Sequence, residues 1–179
     1  MLLKNRNLTI RNAKHGDVEL LASWWNNGKI MAHAGFPTGL GITAEQVKKE
    51  ISVCICNVSE LLIIERDNIP IGEMNYRVLG NKSVEIGIKI CHFSEQNKGY
   101  GKILLSMLIK ELFERGFKTI VLDTNLNNLR AQHLYEKIGF RKTGTRTNAW
   151  KDQLGIFQSA VNYEMTEGEL VDFSDLYTC

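Results

Sequence analysis

Gln96-Asn97-Lys98-Gly99-Tyr100-Gly101 sits where the hydrophobic period of the chain changes from two to about three and a half. Before it, Val84, Ile86, Ile88 and Ile90 alternate with Glu85, Gly87, Lys89 and Cys91, the pattern of a strand. After it, Ile103, Leu104, Met107, Leu108 and Leu112 make a helical stripe that Gly116 ends. A strand–loop–helix junction leaves the first helical N–H groups unpaired and partly positive, which suits a pyrophosphate. Glycines let such a ligand approach the backbone where a Cβ would obstruct it. Lys98 and Lys102 add positive charge. A dinucleotide fingerprint needs a further glycine where Leu104 stands, and a P-loop needs Ser or Thr where Ile103 stands. Taken alone, the segment also fits glycines that merely open a helix.

Working outward, Leu8 to Arg11 reads as a short strand, and Val18, Leu21, Ala22 and Trp25 fall at helical spacing. Thr43-Ala44-Glu45-Gln46 is a capping box that opens a second helix bearing Val47, Ile51 and Cys54 on one face. Leu61 to Ile64 is a buried-strand run, Asp67-Asn68 a turn, Ile69 to Val78 a returning strand and Gly80-Asn81 the next turn. Thr119 to Leu122 is a further strand; Ala131, Leu134, Tyr135 and Ile138 make a helical face stopped by Gly139. Phe140 onward and Ile156 to Met165 close the chain as strands. The order β-α-α-β-β-β-α-β-α-β-β predicts one α/β domain over 1–179, a mixed sheet with helices on both faces.

Composition fits that picture. Of 179 residues, 44% are hydrophobic and 23% charged, so neither disorder nor a membrane protein is indicated. No apolar run approaches the roughly 18 residues of a membrane span, and the first residues do not read as a secretory signal. Cys54, Cys56, Cys91 and Cys179 have neither disulfide-framework nor zinc spacing and read as free buried thiols of a cytoplasmic protein. His15, His33, His92 and His133 are scattered, so no metal is expected. Net charge is +2, but six acids and no Lys or Arg follow Lys151. The basic body suits an anionic ligand; the acidic tail would either help hold a cationic one or form a solvated face. No basic-aromatic stripe points to nucleic acid. Whether the chain pairs as a homodimer is left open.

The glycine segment resembles motif A of the GNAT superfamily, Gln/Arg-x-x-Gly-x-Gly/Ala, on the strand–loop–helix where that family carries it. Asn128-Leu129-Arg130-Ala131-Gln132-His133-Leu134-Tyr135-Glu136-Lys137-Ile138-Gly139-Phe140 resembles the family's motif B helix. The likeness runs from about Ile63 to Gly144. Glu85-Ile86-Gly87 and Trp24-Trp25-Asn26 look like the branch with ribosomal-protein N-terminal and aminoglycoside 6′-N-acetyltransferases. The resemblance implies a mostly antiparallel central sheet and acetyl transfer from acetyl-CoA to a primary amine. It places the diphosphate on the N–H groups of Asn97, Lys98, Gly99, Tyr100 and Gly101, with the Gln96 side chain nearby. Ile88, Lys89, Ile90 and Cys91 would pair with the pantetheine arm, in a slot left where their strand bulges and diverges from the next. Asn128 would meet the cofactor, and Tyr135 would lie beside its sulfur.

Direct attack in a ternary complex is expected, because no Cys sits where the family would need a nucleophile. Tyr135 is the candidate general acid: a phenol of pKa near 10 matches a departing thiolate. Its competing reading is a core residue of the apolar stripe. Glu85 and Glu73 are candidate bases, or else solvated strand residues. Trp24, Trp25 and Phe36 would wall the acceptor site, or else belong to the core. Beside the enzyme stands a different class, a silent acyl-CoA-binding module, and within the enzyme class an aminoglycoside-modifying activity.

Overall fold

The computed structural model describes residues 1–53 and 58–175, so the readings on Cys54, Cys56 and Cys179 lie outside the described residues. In chain order the elements are β1 (Leu2–Asn5), β2 (Leu8–Asn12), α1 (Val18–Trp25), α2 (Gly28–Met31), α3 (Ala44–Val53), β3 (Ser59–Arg66), β4 (Ile69–Gly80) and β5 (Ser83–Ile90). There follow α4 (Tyr100–Glu114), β6 (Thr119–Asn125), α5 (Leu129–Lys137), β7 (Arg141–Lys151) and β8 (Phe157–Thr166). The strands form one sheet in the order β1-β2-β3-β4-β5-β6-β8-β7. Only β5 and β6 run parallel; the other neighbours are antiparallel. The mixed, mostly antiparallel sheet predicted from sequence is therefore observed.

Both faces are covered, and β3 shows why its sequence is a continuous apolar run. Leu62 and Ile64 point into the core beneath α4 and α5. Ile63 points the opposite way, against Val18, Leu21 and Trp24 of α1 and Val47 of α3. The capping box forms as read: Thr43 N–H donates to Gln46 Oε1 (2.8 Å), and Gln46 N–H to Thr43 Oγ1 (3.3 Å). Ile103, Leu104, Leu105, Leu108, Ile109 and Leu112 of α4 are all buried. At roughly 2 kcal/mol for each such side chain, their burial fixes where the start of α4 sits.

Two elements were missed by the sequence reading. β1 pairs with β2 (Asn5↔Leu8) through the two-residue turn Arg6-Asn7, which lacks the glycine that flags a hairpin. α2 has only four residues, opened by Asn27, whose side chain accepts from Lys29 N–H (3.0 Å). The acidic tail also departs from the idea that it holds a ligand. Glu164 and Glu169 pair with Arg141, Glu167 with Lys118 and Asp172 with Lys110. Leu170 and Phe173 pack onto the core under α4. Among the described residues no helix is long and apolar enough to cross a membrane.

At Gly72 the backbone of β5 leaves no room for a side chain: a Cβ there would stand 2.2 Å from Lys89 O. Gly72→Ala must push β5 aside, and overpacking of this kind costs about 2 kcal/mol. A thermal melt should show Tm lowered by roughly 6 °C.

Candidate active site

β5 and β6 pair only over Ser83↔Thr119, Val84↔Ile120 and Glu85↔Val121. Beyond that point they part, because each is held by its other neighbour: β5 by β4 as far as Ile90, and β6 by β8 as far as Asn125. The opening is a cleft of about 960 Å³ whose walls include Ile86 to Ile90 on one side and Asp123 to Asn125 on the other. The divergence matches expectation, and the bulge falls at the end of the strand. The β4–β5 register runs unbroken from Gly72↔Ile90 to Val78↔Val84, and just past it the N–H groups of Cys91 and His92 both donate to Ile71 O (2.9 Å each).

Cys91 N–H donates to Ile71 O on β4 (2.9 Å), so strand alternation turns the backbone groups of Ile90 and Ile88 toward the slot. Ile90 O accepts from Gln96 Nε2 (2.8 Å), and Gln96 Oε1 accepts from Arg130 Nη1 (3.0 Å). The Gln96 side chain thus braces the loop against β5 and α5 while it lines the cleft beside Asn97 and Arg130. Cys91 is removed from the cofactor wall. It is buried against the α1/α3 side of the sheet, where burial, with the Glu73 charge adding to it, pushes its thiol well above the usual range.

At one end of the slot stands the start of α4. Gly99 precedes its first turn with φ +80°, and Asn97 also has positive φ (+62°). The amide hydrogens of Asn97, Lys98, Gly99, Tyr100 and Gly101 have no acceptor among the described residues, and no side chain caps this end. Oriented free amides at a helix start form an anion cradle. Lys102 lines the cleft with its ammonium 5.2 Å over the Phe173 ring. Lys98 does not line it; its ammonium is held by Glu95 (3.1 Å). Arg130, missed in the sequence, takes that place: it lines the cleft and donates to Asn97 Oδ1 (3.3 Å). Its signal was its position two residues after Asn128, in the first turn of α5. Asn128 lines the cleft too, with its side chain spent on capping α5 (accepting from Ala131 N–H, 3.3 Å) and on Thr124 Oγ1 (3.3 Å).

Tyr135 projects from α5 into the same cleft, its ring edge-on to Phe140 (6.0 Å) and Tyr163 (5.8 Å). Its hydroxyl has no hydrogen-bond partner among the described residues. Burial, with the nearby Asp123 charge adding to it, pushes the phenol up to about 12. Asp123, also unforeseen, lines the cleft and pairs with Arg146. Burial raises its carboxyl above the ordinary range; Arg146 opposes the shift and Glu85 adds to it.

The two predicted bases separate. Glu73 lines the cleft at 2% exposure, with Lys89 Nζ on one oxygen (2.7 Å) and Trp25 Nε1 on the other (2.6 Å). Glu85 lies outside the walls, because it stands directly opposite Arg77 on β4 and its carboxylate takes that guanidinium (2.7 Å). The predicted aromatic wall is also revised. Trp24 is core, Trp25 reaches the site only through Glu73, and Phe36 is not on the cleft. The wall there consists of Lys29, Ile30, His33 and Ala34, from α2 and the turn after it, with Trp150 of β7.

The acetyltransferase (GNAT) family model matches residues 45–140, more than half of the chain. The chain belongs to the GNAT acetyltransferase family. Its sequence is 32% identical over 102 residues to the [ribosomal protein bS18]-alanine N-acetyltransferase of Haemophilus influenzae, covering 49% of this chain and 68% of that enzyme. It is 30% identical over 151 residues to an uncharacterized protein of Methanocaldococcus jannaschii, covering 80% of this chain but only 30% of that longer protein. Among solved structures, the fold matches spermidine N-acetyltransferase from Vibrio cholerae, solved with CoA and spermine, at TM-score 0.82. That match has 22% identity and covers 92% of this chain and 98% of the other. A ribosomal L7/L12 α-N-protein acetyltransferase in complex with coenzyme A also gives TM-score 0.82, at 17% identity, covering 98% and 100% of the two chains. GNAT membership and the acyltransferase fold thus agree with the sequence reading of motifs A and B.

Proposed function

We propose that this protein transfers acetyl from acetyl-CoA to a primary amine within a ternary complex. The observation that carries this is the parted β5–β6 slot, which runs from the free amides of Asn97 to Gly101 to the unpartnered Tyr135 hydroxyl. The amides, Arg130 and Lys102 hold the diphosphate. The slot-facing backbone of Ile88 aligns the pantetheine arm, and an N–H of β5 steadies the oxyanion, an interaction worth about 3 kcal/mol in acyl transfer. Tyr135 gives its proton to the leaving thiolate.

Direct attack is favoured because Cys91, the one cysteine among the described residues, is buried away from the cleft with a proton it does not readily lose. Asp123, whose burial raises its proton affinity, is the carboxylate suited to take the amine proton. Glu73, with both oxygens bonded, holds Lys89 and Trp25 instead.

The test is acetyl-CoA with a panel of peptides, polyamines and aminoglycosides, read as free thiol released. Initial rates against both substrates should give intersecting double-reciprocal lines. Parallel lines would reject the ternary complex, and saturable coenzyme A binding without thiol release would favour a sensor.

A further inference from the structure

Every carboxylate on the cleft wall is already matched by a cation. Glu73 is held by Lys89, Glu95 by Arg66 (2.7 Å) and Lys98, and Asp123 by Arg146. Glu95, Lys102 and Arg130 stand at the phosphate end. At the other end Lys89 and Arg146 balance Glu73 and Asp123, which leaves Lys29 and, on α5, Lys137 as the wall's excess cations. Neither ammonium has an ion pair or hydrogen bond among the described residues. The turn that follows α2 packs on β6, so Lys29 stands over the end of the slot where Asp123 lies. Glu164, Glu167, Glu169 and Asp172 are tied to Arg141, Lys118 and Lys110 and do not reach the cleft.

A polycationic acceptor is drawn in by carboxylates that lack partners, and this mouth offers none. An amine that carries its own negative charge meets the opposite situation. We infer that the acceptor is a primary amine bearing an anionic group a few bonds away, and that Lys29 seats that anion. This rests on the acetyl-transfer reading and narrows it. The chemistry is met by a polypeptide N-terminus followed by Asp or Glu, or by a small acidic amino compound.

The experiment uses three matched peptides beginning Ala-Asp, Ala-Asn and Ala-Lys, the free dipeptide Ala-Asp, and spermidine. Each is assayed as kcat/KM by thiol release and as Kd on the coenzyme A-bound protein. The wild type should rank acidic over neutral over basic, by roughly tenfold per charge step in dilute salt, with the spread shrinking in concentrated salt. Lys29→Glu should invert the ranking while the melting temperature and coenzyme A Kd stay in place. Comparable use of the free dipeptide would support the proposal with a small acceptor as the source; strong preference for the longer peptide would support it with a polypeptide. Preference for spermidine or the Ala-Lys peptide, or a ranking that Lys29→Glu leaves unaltered, would overturn it. The Kd series decides the charge preference even without turnover, so failure of the transferase reading shows separately, as binding without thiol.

Discussion

Gly99→Asp is expected to lower coenzyme A affinity by roughly a thousandfold, read by calorimetry against wild-type protein. Two costs combine. The left-handed backbone at Gly99 (φ +80°) burdens a side-chain-bearing residue by about 1–2 kcal/mol, less for Asp than for most. The larger cost is charge. A carboxylate set among the amides of Asn97 to Gly101 stands about 4 Å from the phosphates, where one pair of like charges is worth about 4 kcal/mol at an effective dielectric of 20. It would also accept the hydrogen bonds those amides offer, replacing the ligand with an internal anion. Gly99→Ala separates the two contributions: it keeps the strain, omits the charge and should lose about tenfold or less. If Gly99→Asp binds coenzyme A like the wild type, the α4 start is not the phosphate site.

That cradle was legible in the sequence because its causes are local. A strand period, two glycines and a helical period sit within a single stretch, and the backbone itself makes the site. Residues whose role depends on distant partners were not legible. Alternation put Glu73 and Glu85 on strands, yet only the register, with Arg77 opposite Glu85, decides which one reaches the cleft. Trp24 and Trp25 are neighbours about 100° apart on α1, so helical spacing alone does not tell core from site. Lys29 and Trp150 come together from opposite ends of the chain. Asp123 could have been found, since ligand crevices in α/β sheets gather at the carboxyl ends of strands and it directly follows the apolar run of β6.

Tyr135→Phe is expected to slow turnover by roughly a hundredfold or more while coenzyme A binding and the fold stay near normal. The substitution removes one oxygen and leaves the ring packing on Phe140 and Tyr163 intact. No hydrogen bond within the described residues is lost, so stability should change by less than about 1 kcal/mol. Tyr163 supplies the contrast. Its hydroxyl donates to Glu136 (2.9 Å), and burial with that bond also pushes it up to about 12. Tyr163→Phe should therefore cost more in melting temperature than in rate. The pH profile adds an independent readout. An acid acts only while protonated, and a phenol of ordinary pKa would be half ionised at about pH 10. Raised to about 12, Tyr135 keeps its proton there, so kcat should not decline between about pH 8 and 10. The shift weakens the acid by about 1.4 kcal/mol of driving force per pH unit, but the proton stays available whenever the thiolate departs. Unchanged turnover in Tyr135→Phe would take the phenol out of the mechanism and leave the thiolate to be protonated by water, whereas a kcat falling by half near pH 10 would show that burial does not raise the phenol.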